Sequence, residues 1–276
     1  MSELVFVKME GAGNDYIYIE ADRADADWTN LVPWLSDRHF GIGGDGVILI
    51  APSKVATARM VMFNADGSEG AMCGNGVRCI AHYLHERGRT DEVTTIETVS
   101  GVVKVRRLGT EGDRYEVAMG LPQLEPDEVP VAAQVSESGF VRVSLELADQ
   151  RLAAVALSMG NPHAVTFWPQ LDGLDVGRLG PAIEHHHLFP EGVNVSFAQV
   201  LNRGEVALRV WERGTGETLA CGSGACATVV AAALSGLSER QVTVHARGGD
   251  LAVRWESDSV YLAGPARTVF SGTVTI

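Results

Sequence analysis

The sequence predicts an α+β protein of two pseudosymmetric domains, each a mostly antiparallel sheet wrapped barrel-like around a central helix. Three observations carry that expectation. A cysteine motif occurs twice, as Met72-Cys73-Gly74-Asn75-Gly76 and as Ala220-Cys221-Gly222-Ser223-Gly224. Each copy follows an apolar run, Met60–Phe63 or Leu208–Trp211, then a polar glycine loop with a glutamate, Glu69 or Glu217, four residues ahead of the cysteine. Each copy also leads into an alanine-containing apolar segment, Ile80–Leu84 or Ala227–Leu234, that reads as a helix. The register persists beyond the motif, because Ile96, Gly101, Val105 and Arg106 align at one constant offset with Val244, Gly249, Val253 and Arg254.

Taken in order, Leu4–Lys8 and Tyr16–Glu20 read as strands around a loop over Met9–Asp15, which presents Asn14. A helix is expected over Trp28–Asp37. Arg38-His39-Phe40-Gly41-Ile42-Gly43-Gly44-Asp45-Gly46 then forms a glycine-rich turn into the strand Val47–Ile50. That turn lacks both the Gly-Lys-Ser/Thr ending of a phosphate loop and the dinucleotide glycine spacing, so it reads as a turn lining a site. After the first cysteine helix, Val93–Val99, Val102–Arg107 and Tyr115–Met119 alternate like antiparallel strands with turns at Gly101 and around Gly112. The proline-rich, acidic Gly120–Asp127 suits a linker. The plan then repeats, with strands at Val141–Leu147 and Leu152–Ser158, the loop Gly160-Asn161-Pro162-His163, a short helix over Val176–His185, the strand Val206–Trp211, the second cysteine motif and a final strand Thr268–Ile276. His185-His186-His187 reads as a solvated face, since three adjacent side chains point in different directions.

Composition narrows the function. The chain has 276 residues, enough for two domains with sizeable cores, and a formal charge of -13. That acidity argues against a nucleic-acid groove or an anionic membrane surface. The amino terminus has no signal-like apolar region and no run approaches a membrane span, so a cytoplasmic location is expected. The four cysteines read as free thiols. Neither pair has the C-x2-C spacing of a zinc knuckle, and none of the three lysines has a setting that suggests a Schiff base, so neither metal nor cofactor is expected.

An unperturbed thiol titrates near about 8.5, and a helix N-terminus favours an anion by roughly 0.3–2 kcal/mol, which lowers a thiol by about one unit. That is enough to populate thiolate near neutrality. Cysteine near a helix start is commonly plain core filling, yet duplication with a polar loop before each copy favours chemistry. With the two helix starts face to face, a small carboxylate substrate would have one sulfur on each side of its α-carbon. Two thiolates would repel, so the stable pair is one thiol and one thiolate, an acid on one face and a base on the other. Such a pair inverts a stereocentre. A redox pair is the competing use, although redox cysteines usually sit close in sequence.

The chain resembles the diaminopimelate epimerase family over nearly its whole length. The resemblance rests on Gly13-Asn14-Asp15, Arg38–Gly43, Phe63–Glu69, Cys73–Gly76, Ser158–His163, Phe189–Asn194 and Glu212–Gly224. It implies epimerisation of LL-2,6-diaminopimelate to the meso form in lysine and, in many bacteria, peptidoglycan precursor biosynthesis, without pyridoxal phosphate. It further implies Cys73 as proton donor and Cys221 as proton acceptor, with His163 and Glu212 assisting. Substrate contacts are implied for Asn14, Asn64, Gly74, Asn75, Asn161, Asn194, Glu212, Arg213, Gly222 and Ser223. Arg213 suits a distal carboxylate, which a guanidinium grips bidentately. The implied domains are 1–122, carrying Cys73, and 123–266, carrying Cys221, with the strand 267–276 returning to the first. The expected site lies between them, and the expected assembly is a homodimer.

Three positions depart from the family's pattern. Glu10 stands where histidine is frequent, Gly46 where some members carry glutamine, and Phe270 where a tyrosine contributes to dimer contacts. A proline or hydroxyproline racemase of the same fold is the alternative within the fold; a redox-responsive binding protein is the alternative of another class.

Overall fold

The computed structural model describes residues 3–70, 72–109, 113–133 and 139–276, so the turn expected around Gly112 lies outside the described residues. The chain folds as two compact units, one of Met1–Ala118 with Ala263–Ile276 and one of Met119–Leu262.

The first unit opens with the antiparallel strands β1 (Glu3–Gly11) and β2 (Asn14–Ile19). The loop expected over Met9–Asp15 is instead a two-residue turn. Ala12 and Gly13 both take positive φ, 54° and 80°, the backbone that matches strand twist in a tight hairpin. Glu10 closes it by accepting the Gly13 N–H at 3.0 Å. Helix α1 (Trp28–Ser36) leads to β3 (Gly46–Ala51) and β4 (Ala58–Asn64), and a short β5 (Glu69–Gly70) precedes α2 (Gly74–Glu86). Strands β6 (Val93–Thr98), β7 (Gly101–Arg107) and β8 (Arg114–Ala118) follow.

The second unit repeats this order after an added first strand. It runs β9 (Val141–Glu146), β10 (Arg151–Ser158), β11 (Pro162–Phe167), α3 (Val176–Glu184), β12 (Asn194–Asn202), β13 (Glu205–Glu212), β14 (Gly216–Thr218), α4 (Gly222–Leu234), β15 (Gln241–Ala246), β16 (Gly249–Trp255) and the start of β17 (Val260–Pro265), whose last three residues belong to the first unit. The last strand, β18 (Arg267–Thr275), pairs antiparallel with β1 in the first unit, just as β9 pairs antiparallel with β10 in the second. Each repeat is therefore joined by a strand that lies outside the repeated order. The segment expected to be a linker is partly engaged, since Gln123 and Ser158 exchange backbone hydrogen bonds at 2.9 Å.

Most of the pairings described are antiparallel, but four among the described residues are parallel, and each brackets a helix: β2 with β3 across α1, β4 with β6 across α2, β11 with β12 across α3, and β13 with β15 across α4. Parallel neighbours require a crossover connection, and the helices supply it. Alternation alone could not separate these pairs from hairpins, because both partners are apolar runs. The central helices are enclosed. All of α4 from Gly222 to Ala232 is buried except Ser223, as suits a helix apolar on every face. Helix α2 is buried from Gly74 to Leu84 although it carries Asn75, Arg78 and His82. Buried polar groups of that kind need partners, and at α2 they belong to the site.

The apolar core of the first unit gathers Phe6, Ile17, Ile19, Trp28, Val32, Leu35, Val47, Leu49 and Phe63. That of the second gathers Val141, Leu145, Leu179, Ile183, Phe189, Val195 and Phe197, with Trp211 packed against it. Of the three adjacent histidines, His186 is buried and its Nδ1 accepts the Leu188 N–H, so the expected solvated face holds only for His185 and His187.

Candidate active site

Each unit presents one cysteine at the N-cap of its central helix. Cys73 has an extended backbone, φ -133° and ψ 117°, immediately before α2, and its Sγ accepts the Gly76 N–H at 3.3 Å. Cys221 has nearly the same backbone, φ -122° and ψ 119°, before α4. Its Sγ lies 3.5 Å from Ser223 Oγ. The glycines three residues on leave room beside the cysteines: a Cβ on Gly76 would meet Ile48 Cδ1 at 2.7 Å and Cys73 Cβ at 3.3 Å, and one on Gly224 would meet Cys221 Cβ at 3.3 Å. The other two cysteines, Cys79 and Cys226, are buried within the helices.

Around Cys73 the hairpin and the glycine-rich turn converge. The thiol donates to Asn14 Oδ1 at 3.3 Å, and Asn75 Nδ2 donates to the same oxygen at 3.2 Å. Asn14 Nδ2 donates in turn to Asp45 Oδ2 at 2.7 Å. Arg78 is fully buried and donates to Asn75 Oδ1 at 2.6 Å and to the Pro265 carbonyl at 3.2 Å. Asn64 sits at the end of β4, its side chain donating to Ser68 Oγ at 3.0 Å. Sequence reasoning singled out Asn14, Asn64 and Asn75 but missed Asp45 and Arg78. Asp45 stands in the glycine-rich turn Arg38–Gly46, and the signal for Arg78 is an arginine within the apolar helix that follows Cys73.

In the second unit the β11–β12 pairing sets His163 beside Asn194. Asn194 accepts the Arg213 N–H at 3.0 Å and donates to the Pro162 carbonyl at 3.0 Å, so it ties the turn after β13 to the start of β11. Arg213 reaches the Glu191 carbonyl at 2.9 Å, and Glu212 accepts the Thr218 hydroxyl at 2.5 Å. Asn161 Oδ1 lies 2.9 Å from His163 Nε2. Glu184, at the end of α3, accepts both the Trp211 indole N–H at 2.7 Å and the Gly214 N–H at 2.8 Å. That carboxylate fixes the turn carrying Glu212 and Arg213, and nothing in its sequence setting distinguished it.

The electrostatics correct one expectation. A thiol near neutral titration does not hold for Cys221, which burial pushes well above its ordinary value, with the neighbouring Glu212 carboxylate adding to the rise. The helix N-terminus is worth about one unit, and loss of hydration outweighs it. Burial also takes Cys79 up to about 12. His163 is pushed down to about 3 by burial, with Arg213 adding to it, so its imidazole is neutral at physiological pH. Its Nδ1 has no hydrogen-bond partner among the described residues.

Two of the sequence departures acquire physical content. Gly46 has φ +152°, and a Cβ there would stand 2.0 Å from the Phe63 carbonyl oxygen, so this backbone admits glycine alone. Phe270 packs edge-on against Phe6, 5.8 Å between centroids, and is half exposed on β18.

Comparison with known proteins places these features in context. The family described as diaminopimelate epimerase matches residues 6–125 and 155–269. The chain is 49% identical to the diaminopimelate epimerase of Desulfovibrio desulfuricans, covering 98% of this chain and 97% of that one. It is 46% identical to that of Moorella thermoacetica, covering 97% and 98%. Among solved structures it is similar in fold to a phenazine biosynthesis protein of the PhzF family from Bacillus anthracis, with a TM-score of 0.70 at 17% identity and full coverage of both chains. A probable proline racemase from Agrobacterium radiobacter matches with a TM-score of 0.70 at 15% identity, covering 99% of this chain and 93% of that one.

Proposed function

The chain belongs to the diaminopimelate epimerase family, and on that premise we propose that it interconverts LL- and meso-2,6-diaminopimelate in lysine biosynthesis, using Cys73 and Cys221 as its two acid/base groups. The observation that carries the assignment of roles is the matched backbone of the two cysteines, each an N-cap of an enclosed helix and each followed by glycine. Helix first-turn amides lack helical partners and attract anions. A substrate carboxylate held there gains stabilisation as the α-carbon loses its proton and charge spreads into the carboxylate.

In the LL-to-meso direction the Cys221 thiolate removes the α-proton from one face while the Cys73 thiol delivers a proton to the other. The reverse reaction exchanges the roles. Because Cys221 is a thiol in the unliganded chain, its own proton needs a destination, and the Glu212 carboxylate that raises it is the nearby acceptor. That transfer neutralises Glu212 and moves the negative charge onto sulfur, where a substrate α-ammonium beside the pair would stabilise the thiolate. His163 suits the same ammonium. With Nε2–H donated to Asn161, its neutral Nδ1 is a buried acceptor. Arg213 and Asn194, which accepts the Arg213 N–H, read the distal carboxylate, while Asn14, Asn64, Gly74, Asn75, Asn161, Gly222 and Ser223 complete the substrate contacts. The reaction proceeds in the cytoplasm without pyridoxal phosphate or metal. A homodimer fits the apolar side chains exposed on the β1–β18 pair, Val5, Val269 and Phe270.

The proline-racemase alternative shares only the fold, at 15% identity, whereas identity to diaminopimelate epimerases reaches 49%. Circular dichroism assays on LL-diaminopimelate, L-proline and trans-4-hydroxy-L-proline test the choice. Turnover of diaminopimelate alone is expected; turnover of either proline with diaminopimelate inert overturns it.

A further inference from the structure

The hydrogen bonds behind Cys73 have a direction, and the residues at their two ends dictate it. A carboxylate only accepts and a guanidinium only donates. Asp45 Oδ2 takes the Asn14 Nδ2 donor at 2.7 Å and the Asp15 N–H at 3.0 Å, and Asp45 Oδ1 takes Arg38 Nη2 at 2.9 Å. Asn14 must therefore turn its carbonyl oxygen toward Cys73. At the other end Arg78 donates to Asn75 Oδ1, which turns the Asn75 amide nitrogen toward the same Asn14 oxygen. An amide's two ends are hard to tell apart by shape, yet here a charged residue fixes each. The sulfur meets an acceptor at Asn14 and a donor at Gly76, the arrangement that suits S–H rather than S⁻.

We propose that Asp45 and Arg78 are positioning residues that lock the Asn14 and Asn75 amides so that Cys73 is held as an S–H donor, the form required of the group that protonates the substrate. The proposal rests on the reading of Cys73 as an acid/base residue, but its test does not use the substrate. Neither Asp45 nor Arg78 touches the reacting atoms. Asp45 acts through Asn14, and Arg78 through Asn75. Asp45 is kept in place by Arg38, which also bonds Asp15, and Asp15 is held in turn by Lys8 at 2.6 Å. The charged and titratable groups around these bonds include Lys8, Asp15, Arg38, Asp45 and Arg78, with Cys73 interacting electrostatically with Tyr18 and Cys79, and Glu10 with Cys79. At Cys221 the described residues acting on the sulfur include Ser223, Gly224 and Glu212 instead. The two thiols, alike in backbone, are unlike in what sets their protons.

The test is a double-mutant cycle read by the alkylation rate of Cys73 with iodoacetamide at neutral pH, followed by peptide mass spectrometry in the full chain. In Asp45→Asn the Asn14 amide is free to turn and donate to sulfur, which favours the thiolate. Exchange of one such hydrogen bond is worth about a threefold to tenfold gain in thiolate and in alkylation rate. In an Asn14→Ala background the same Asp45→Asn change is expected to move the rate by less than about twofold, since the connecting amide is gone. Equal acceleration in both backgrounds would mean that the Asp45 charge acts through space and would overturn the proposal, as would an unchanged or slower rate in the single variant. Should Asp45→Asn fail to fold, the wild-type chain still decides. The Asn14 side-chain amide protons, resolved by 15N-edited NMR, are expected to show an Overhauser contact to the Asp15 amide proton, because both donate to one Asp45 oxygen. A contact to the Cys73 β-protons instead would overturn it. Failure of the epimerase reading itself would leave both results intact and appear only in turnover.

Discussion

Glu184 gives a sharp test of how the second half-site is held. Its side chain is buried and accepts two donors, the Trp211 indole at 2.7 Å and the Gly214 amide at 2.8 Å. In Glu184→Gln one oxygen remains, so one donor keeps its partner while the other faces an NH2 group. A buried donor left unsatisfied costs about 1–3 kcal/mol. With about 2 kcal/mol lost and a urea dependence of about 2–3 kcal/mol per molar, the unfolding midpoint falls by about 0.7–1 M. The functional effect follows from position. Gly214 adjoins Arg213, and Trp211 adjoins Glu212, so loosening this turn blurs the grip on the substrate before it affects the thiols. The expected kinetic signature is a raised KM for diaminopimelate with a smaller fall in kcat. Glu184→Leu, which leaves both donors unpaired, is expected to be worse on both measures. A Glu184→Gln variant with unchanged urea midpoint and unchanged KM would refute the reasoning.

Other predictions follow from single sites. His163 titrates near about 3 in the folded chain against 6.5 as its ordinary value, so between those values the unfolded chain takes up a proton that the folded chain does not. Its contribution to stability is complete above about 6.5 and is lost as pH falls through that window. His163→Gln should therefore flatten the acid limb of a stability-versus-pH curve by close to one proton; an identical slope contradicts the assignment. Glu212→Gln removes the negative charge beside Cys221, so alkylation of Cys221 at mildly alkaline pH should quicken while epimerisation slows by about 100-fold or more through loss of the proton acceptor. Parallel loss of both would point to disrupted structure instead. Gly46→Ala forces a Cβ to within 2.0 Å of the Phe63 carbonyl at φ +152° and is expected to cost more than about 3 kcal/mol, seen as a lowered urea midpoint.

The duplicated cysteine motif was legible because its physics is local: a cap, a glycine and an apolar helix are written in adjacent letters. The strands of the repeat were legible for the same reason, through alternation and through Gly101 and Gly249 at equivalent turns. Long-range pairing was not. The parallel partners β2 with β3 and β11 with β12 are separated by whole helices, and only their register brings His163 beside Asn194. The turn at Ala12 escaped because alanine rarely takes positive φ, so that Gly13 beside it and Glu10, which accepts the Gly13 N–H, are its local signals. Asp45, Arg78 and Glu184 escaped because a charged residue reads as surface until burial and its partners are known. The titration of Cys221 escaped for a related reason. The helix dipole is visible in sequence, whereas depth of burial and the nearness of Glu212 are not.

The central claim is that two thiols exchange one α-proton on diaminopimelate. Incubation of the chain with LL-diaminopimelate in heavy water, with no added cofactor, tests it for the wild type, Cys73→Ala and Cys221→Ala. The account predicts deuterium at the α-carbon of the meso product with the wild type, and loss of epimerisation in both variants. Full epimerisation by either variant, or binding of the substrate by the wild type with no α-deuterium incorporated, would contradict it.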